Sequence, residues 1–325
     1  MKQNHSIEEI AKQLMAARSV ILFPHIQMDG DALGSCAALC KALRCAGKEA
    51  VILTEDEVPE YLSFLDQGYC TMDSEAIHQP DVCMCVDCGE VVRFPKREKK
   101  FFQGKITICL DHHTTSTPFA DYNFIDGSIA ATAELVYKVI KAMGIPIDKE
   151  IGEAIFTGIS TDTGNFQYSN ATKESHLITA DLYDAGIDHA KVAVQLYQNT
   201  RLEKIRITNR ILDTLELFGG GKAAIAYVSQ EMLRQVGAEL SETEGVVETV
   251  RNVKGVEIGA FVKEQDGGRI KVSMRAKTTG NVAEIAAKFG GGGHVKAAGC
   301  TLYTNLQEAC ESVKEAIEES LKIKD

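Results

Sequence analysis

The sequence predicts a two-domain α/β protein in which a parallel β-sheet domain is followed by a smaller α+β domain. In the first half, short and nearly continuous apolar runs alternate with helical patterns, which is typical of parallel strands covered by helices on both faces. After about residue 220 the pattern changes to strands joined by tight turns, and 325 residues suffice for two domains. We expect a first domain over 1–188, a connecting helix or linker over 189–220 and a second domain over 221–325.

Local signals predict the elements of the first domain. Ser6-Ile7-Glu8-Glu9 forms a capping box that begins a helix reaching about residue 16. Gly47 is a plausible end for the helix that follows the first strand. The predicted strands span 19–23, 50–54, 82–86 and 106–110, and the further predicted helices span 31–46, 129–143, 149–160, 173–185 and 190–197.

The predicted strands and helices of the second domain alternate less regularly along the chain. A strand over 223–228 comes first, and Ser241-Glu242-Thr243-Glu244 predicts the beginning of a helix. Strands over 256–262 and 269–275 form a hairpin across the turn at 265–268. Helices are expected over 282–289 and 306–322.

Composition excludes several classes of protein. A net charge of −11 argues against binding long nucleic acid, which requires a basic surface. No apolar run approaches the roughly 18 residues of a membrane span, and the first residues lack the pattern of a signal peptide. The ten cysteines lie in apolar segments. We interpret them, Cys85 and Cys88 included, as reduced buried thiols of a cytoplasmic protein rather than a redox or zinc element.

Metal-binding types of side chain follow four apolar runs of the first domain. The carboxyl ends of parallel strands meet at one edge of a sheet, so dispersed residues of this kind can converge. Oxygen and imidazole ligands suit a pair of Mn²⁺ or Mg²⁺ ions better than structural zinc, and paired ions promote in-line attack on phosphorus. The residues are His25, Asp29, Asp31, Asp87, Asp111, His112, His113 and Asp162.

Each of these side chains alone has a simpler explanation. Asp29 or Asp31 could cap the following helix, and a strand-end residue such as Asp87 often does the same. Asp162 could be an ordinary turn residue. For the site to have no function, all of these simpler explanations would have to be true together, for residues that follow each other in this order along the chain. The combination therefore favours a metal site.

A glycine run in the second domain indicates an anion site. Glycines let backbone amides approach an anion closely. Arg275, in the preceding predicted strand, can grip a phosphate with two hydrogen bonds. The simpler explanation for the glycine run is a flexible loop, and the simpler explanation for Arg275 is a solvent-exposed charge on a strand. The residues expected to bind substrate are Gly291, Gly292, Gly293, His294 and Arg275.

The chain resembles the DHH-family phosphoesterases over essentially its whole length. Four motifs of that family occur in order, HIQMDGDALGS, VDCGE, LDHHTT and GISTDTGNF. FGGGGHVKAAG at 289–299 is similar to the signature of the attached DHHA1 domain. The layout resembles NrnA-type oligoribonucleases that also act on 3′-phosphoadenosine 5′-phosphate.

The resemblance implies a role for each site residue, with the active site in a cleft between the domains. Two ions, Mn²⁺ or alternatively Mg²⁺, would activate a shared hydroxide for attack on phosphorus. His113 would act on the substrate phosphate and leaving oxygen, and Asp111 would orient the loop around it. The implied ligands are His25 and Asp29 for one ion, Asp31, His112 and Asp162 for the other, and Asp87 as a bridge.

The expected function is therefore Mn²⁺-dependent trimming of short RNA to mononucleotides and conversion of 3′-phosphoadenosine 5′-phosphate to AMP, by a homodimer that binds no membrane. A phosphodiesterase for linear or cyclic dinucleotides, such as pApA or cyclic di-AMP, shares every motif and stays open as an alternative. A pyrophosphatase lacks the second-domain signature, and a long-strand nuclease needs additional DNA-binding domains. A non-catalytic nucleotide sensor would not require every ligand position to be intact.

Overall fold

The computed structural model describes residues 4–322. It divides into two compact units, one up to Asn199 and the other from Thr200. None of the helices in residues 4–322 is long and apolar enough to cross a bilayer.

The first unit is built on a six-stranded, all-parallel sheet with strand order β3-β2-β1-β4-β5-β6. Its strands are β1 (Ser19–Phe23), β2 (Glu49–Leu53), β3 (Cys70–Thr71), β4 (Val82–Val86), β5 (Ile106–Asp111) and β6 (Tyr122–Ile125). Its helices are α1 (Ile7–Ala16), α2 (Gly30–Cys45), α3 (Glu98–Phe101), α4 (Thr132–Ala142), α5 (Lys149–Asp162), α6 (Lys173–Asp184) and α7 (His189–Tyr197).

Burial on both faces explains why the strands of this sheet are apolar throughout. Along β1, Val20 and Leu22 face a large core packed by helices, whereas Ile21 and Phe23 face a smaller core on the other side. Successive side chains of a strand point to opposite faces, so only a sheet covered twice needs a continuous apolar run. The predicted parallel sheet is confirmed.

The second unit contains a mixed six-stranded sheet with order β11-β12-β10-β9-β8-β7, in which only β8 and β9 pair in parallel. Its strands are β7 (Glu216–Phe218), β8 (Ala223–Val228), β9 (Ile258–Gln265), β10 (Arg269–Ala276), β11 (Gly292–His294) and β12 (Ala297–Leu302). Its helices are α8 (Leu202–Leu212), α9 (Gln230–Val236), α10 (Val246–Asn252), α11 (Val282–Ala287) and α12 (Leu306–Lys322).

Two local expectations differ from the structure. The connecting helix expected at the end of segment 189–220 is shorter than its range: α8 covers Leu202–Leu212 and packs against β8 and α9 in the second unit, whereas α7 packs within the first. The helix expected after residues 241–244 begins only at Val246. A short 3₁₀ turn occupies Leu240–Thr243, and Gly245, with a φ of 85°, separates it from α10. Glycine adopts this left-handed backbone without a steric penalty.

Candidate metal centre

The central strands of the first unit deliver the predicted ligands to one edge of the sheet. β1, β4 and β5 are adjacent and parallel, so their carboxyl ends lie side by side. His25 follows β1 by two residues, Asp87 follows β4 directly, and Asp111 is the last residue of β5. Of the remaining ligands, His112 follows β5 directly, Asp29 and Asp31 lie at the N-cap and in the first turn of α2, and Asp162 is the last residue of α5. The ligand atoms form groups of three, each within 4.8 Å: His25, Asp29 and Asp87; Asp31, His112 and Asp162; and Asp87, His112 and His113.

The first group surrounds His25. The Nε2 atom of His25 lies 3.6 Å from Asp29 Oδ2 and 3.6 Å from Asp87 Oδ2. The Nδ1 atom lies 2.7 Å from the Ile26 carbonyl and donates to it, which leaves Nε2 free as a ligand. Asp29 also caps α2, because its Oδ1 accepts from the amides at the start of that helix. The simpler explanation for Asp29 is therefore correct for one oxygen, and the other oxygen faces His25.

The second group surrounds His112. Its Nε2 lies 3.1 Å from Asp162 Oδ2 and 3.9 Å from Asp31 Oδ2. Its Nδ1 donates to the carbonyl of Ile129 at 3.1 Å, so the ring is oriented in the same way as that of His25. Asp29 and Asp31 thus belong to different groups. The reason is that Asp29 is the N-cap of α2 and Asp31 lies in its first turn.

Asp87 lies between the two groups and presents one oxygen to each. Its Oδ2 faces His25, and its Oδ1 lies 3.6 Å from His112 Nε2. Thr132 donates its hydroxyl to the same Oδ1 at 2.8 Å. The backbone of Asp87 has a φ of 59°, a left-handed conformation that costs about 1–3 kcal/mol outside glycine. The strain aims the carboxylate between the two histidines, and nothing in the sequence signals it.

The pKa values of the histidines reflect the surrounding carboxylates. Burial opposes protonation of His25, but Asp29 and Asp87 outweigh it and raise the pKa of the ring to about 10. Burial likewise opposes protonation of His112, and a hydrogen bond to Asp162 with the nearby carboxylates raises its pKa to about 10. The centre therefore attracts positive charge strongly at neutral pH.

Asp31 shows the same excess of negative charge. It is fully buried, and burial raises its pKa well above the usual range, with a further contribution from Asp87 and Asp162. The first amides of α4, at Thr132 and Ala133, donate to its two oxygens at 2.6 and 2.9 Å. Divalent cations would supply the missing positive charge to a donor set of carboxylate and imidazole groups, so these residues fit metal ions well.

His113 is held differently from the other two histidines. Its Nδ1 donates to Asp111 Oδ1 at 2.8 Å, and the hydroxyl of Ser116 donates to the other oxygen of Asp111. Burial opposes ionisation of Asp111, but these contacts outweigh it and lower the pKa of the carboxyl. The His113 side chain is 44 % exposed, and its other ring nitrogen is not used in this contact. Ser116 and Thr132 support Asp111 and Asp87, and no sequence pattern predicted either residue.

The glycine run of the second unit forms an edge strand, and the flexible-loop explanation does not describe it. β11 pairs with β12, with Gly292 opposite Gly299 and His294 opposite Ala297. A Cβ on Gly291 would lie 2.2 Å from the Gly299 carbonyl oxygen, so this glycine is required for close strand packing. A Cβ on Gly292 would meet open space, and His294 is exposed.

Arg275 and His294 lie in one row across the second sheet. Both pair with Ala297, one from β10 and the other from β11, and directly paired residues project from the same face. The Arg275 Nε donates to Glu248 Oε1 at 2.9 Å, and a terminal nitrogen donates to the Met274 carbonyl. The guanidinium is 29 % exposed. A phosphate would have to share Arg275 with Glu248 or displace it.

Comparisons with known proteins cover both units. The model of the DHH family N-terminal domain matches residues 19–159, and that of the DHHA1 domain matches residues 220–321. A bifunctional oligoribonuclease and PAP phosphatase NrnA of Thermus thermophilus is 33% identical over 96% of this chain and 93% of its own length. The protein of the same name from Bacillus subtilis is 27% identical over 91% and 93%. A crystal structure of an exopolyphosphatase-related protein from Bacteroides fragilis superimposes with a TM-score of 0.91 at 25% identity, covering 98% of this chain and 97% of that one.

Proposed function

Because this chain belongs to the DHH family and carries a DHHA1 domain as its second unit, we propose a function within that family of phosphoester hydrolases. The protein degrades short oligoribonucleotides to mononucleotides and converts 3′-phosphoadenosine 5′-phosphate to AMP. The observation that carries this proposal is the pair of ligand groups joined by Asp87, in a chain whose similarity to NrnA proteins extends over both units.

The two ligand groups support binding of two divalent ions, for which Mn²⁺ is our first choice and Mg²⁺ the alternative. His25 and Asp29 would hold one ion, Asp31, His112 and Asp162 the other, and Asp87 would contact both. When bound, such ions lower the pKa of a water molecule and neutralise charge on phosphate oxygens. The backbone carbonyls that accept from His25 and His112 keep both rings oriented for this role.

His113 is proposed to act on the substrate itself. Asp111 fixes its Nδ1, so the ring can offer its other nitrogen to a phosphate oxygen or to the leaving oxygen. Asp111 also favours the protonated ring, and its hydrogen bond raises the pKa of His113. A protonated imidazole can stabilise developing negative charge and donate a proton to the departing ester oxygen, which leaves as a hydroxyl. Asp111 is thus a positioning residue, and its burial keeps that contact away from water.

The second unit is proposed to recognise a second phosphate. Short RNA and 3′-phosphoadenosine 5′-phosphate both carry one beyond the phosphate that is attacked. The row formed by Arg275 and His294 offers two positively charged or hydrogen-bonding groups on one face. Gly291, Gly292 and Gly293 keep the adjacent edge free of side chains, so that backbone amides can contribute.

The compartment and the assembly are further parts of the proposal. All ten cysteines are free thiols, and Cys85 and Cys109 are paired neighbours on adjacent strands without a disulfide. This arrangement supports a reducing, cytoplasmic environment. We also expect a homodimer, which sedimentation equilibrium of the purified protein would test.

A substrate panel tests the function directly. We expect hydrolysis of oligoribonucleotides, pApA and 3′-phosphoadenosine 5′-phosphate with Mn²⁺, and slow or no hydrolysis of pyrophosphate. With a net charge of −11, the chain gains little from long RNA, so kcat/KM should be highest for about two to four nucleotides and change little with salt. His294→Ala should flatten this length preference. Activity confined to pApA or cyclic dinucleotides would favour the alternative, and a steady rise up to long RNA would contradict the proposal.

A further inference from the structure

The loop that follows Asp162 has an unusual backbone. Gly164, Asn165 and Phe166 are consecutive and all left-handed, with φ values of 55°, 55° and 63°. A left-handed conformation is uncommon outside glycine, and for a bulky residue such as phenylalanine it is an outlier. Strain of this kind persists where the surrounding structure enforces it, and it concentrates at functional sites.

Hydrogen bonds to the end of α5 enforce this conformation. The amide of Asn165 donates to the carbonyl of Ser160 at 2.6 Å. Thr163 holds the next turn, because its hydroxyl accepts from the Phe166 amide and its carbonyl accepts from the Tyr168 amide, each at 3.0 Å. The loop is therefore tied, residue by residue, to the helix that ends at Asp162.

The loop supports one face of an aromatic ring. A Cβ built on Gly164 would lie 2.4, 2.5 and 2.6 Å from three carbons of the Tyr168 ring, Cζ, Cε1 and Cε2. Nearly equal distances to three ring carbons mean that the ring lies flat on the glycine. Any other residue at 164 would displace it. Tyr168 is nevertheless 52% exposed, so much of its surface is open to solvent.

The glycine beneath this ring lies close to Asp162, one of the proposed metal ligands. Gly164 follows Asp162 by two residues, and two peptide units span at most about 7.6 Å. Asp162 in turn lies 3.1 Å from His112. In a nucleotide, the base is separated from its phosphate by a single sugar. A phosphate at the metal centre therefore brings a base within reach of the loop.

We propose that Tyr168 is a stacking platform for a nucleobase of the substrate and a specificity-determining residue for nucleotides over base-free phosphates. This inference rests on the proposed function. Aromatic rings bind the faces of all bases with little sequence preference, which suits an enzyme that degrades mixed short RNA. Gly164 and the strained turn already orient the ring of Tyr168. The side chain therefore loses little conformational entropy when a base binds.

The test compares pApA with a fully abasic analogue of the same dinucleotide. For Tyr168→Leu we expect kcat/KM for pApA to fall by about fivefold to a hundredfold, the usual effect of losing one stacked base. Its kcat/KM for the abasic analogue should stay unchanged. Tyr168→Phe, which keeps the ring, should retain the preference for pApA. Tyr183→Leu is the matched control, since Tyr183 is 48% exposed in the same unit, and it should affect neither substrate.

Each result decides between stacking and a merely structural role. Equal losses on both substrates in Tyr168→Leu would overturn the inference, as would a wild-type enzyme that does not distinguish pApA from its abasic analogue. In both cases the proposed function would stand. A wild-type enzyme inactive on every nucleotide would instead remove the proposed function and the inference with it. Should Tyr168→Leu fail to fold, Tyr168→Met carries the same comparison.

Discussion

The metal centre of the first unit and the row of Arg275 and His294 in the second are built on opposite principles. In the metal centre, Asp31 and Asp87 are almost completely buried, and their negative charge is concentrated enough to raise histidine pKa values to about 10. In the second unit, His294 is exposed and Arg275 is already paired with Glu248.

This difference indicates that the first unit catalyses the reaction and that the second unit contributes to substrate binding. Burying several like charges is costly unless ions or protons compensate, so such an arrangement persists where charge must be handled during a reaction. An exposed, partly paired cation interacts more weakly and exchanges partners easily. We therefore expect losses in kcat from substitutions in the first unit and increases in KM from substitutions in the second.

The largest effect is expected for Asp87→Ala. Asp87 faces both His25 and His112, so its loss should separate the two ligand groups. We expect kcat for pApA to fall by at least about a thousandfold, and metal content to fall below that of the wild type. Steady-state kinetics and metal analysis measure both. Activity within about tenfold of the wild type would contradict the assignment of Asp87 as the bridge.

Cys88→Ser is the matched control for that substitution. Cys88 is the next residue along the chain, its thiol donates to the backbone carbonyl of Glu90, and it packs in the smaller apolar core of the first unit. We expect unchanged metal content and activity. Loss of metal in this variant would mean that a thiol takes part in the centre.

A smaller effect is expected for His113→Ala. Asp111 holds this histidine, whose proposed role is on the substrate, so its loss should lower kcat by about a hundredfold to ten-thousandfold with the metals still bound. The measurement is kcat together with metal content. If the variant loses metal in proportion to activity, His113 is a ligand, as its position near Asp87 and His112 would also permit.

In the second unit, Arg275→Ala should act mainly on KM. Loss of a charge-assisted hydrogen bond costs about 1.5–3 kcal/mol, or roughly a tenfold to hundredfold increase in KM. Glu248→Gln should have the opposite effect. It frees Arg275 from its ion pair and should lower KM for substrates with two phosphates. An unchanged KM for pApA in Arg275→Ala would place the second phosphate elsewhere.

The smallest expected effect concerns stability and pH. Without metal, His25 and His112 have pKa values of about 10 in the folded protein, above the value of about 6.5 for an unfolded chain. Their contribution to stability is full below about pH 6.5 and is lost as the pH rises towards 10. The unfolding temperature of chelator-treated protein should therefore fall over this range. With Mn²⁺ the fall should be smaller, because the ions bind the neutral rings. Identical curves with and without Mn²⁺ would contradict metal binding here.

Much of the first unit followed from the sequence because its signals are local. Continuous apolar strands and the helices between them predicted the parallel sheet, and the ends of these strands located the candidate ligands. Asp162 was expected just beyond its helix but is the last residue of α5. The left-handed backbone of Asp87 and the support of Asp31 by α4 depend on contacts distant in sequence, which no pattern of neighbouring residues reveals.

The second unit was harder to predict because its sheet depends on pairing between distant segments. β11 consists of two glycines and His294, residues that resemble a loop until β12 is placed beside them. β12 and α9 were also missed, whereas the hairpin of β9 and β10 was found from its turn. Arg275 lies on a strand and Glu248 on a helix, and their ion pair could not be predicted because the two residues are distant in sequence. From the sequence, a solvent-exposed charge was the simpler expectation for Arg275.

The two-ion centre is tested most directly by titrating metal-free protein with Mn²⁺ while pApA hydrolysis is followed. At protein concentrations well above the dissociation constant, activity should rise to a plateau at two equivalents per chain, because Asp87 joins two ligand groups that act together. In Arg275→Ala the plateau should occur at the same two equivalents. Full activity with one equivalent, or activity that does not depend on added metal, would contradict the two-ion centre.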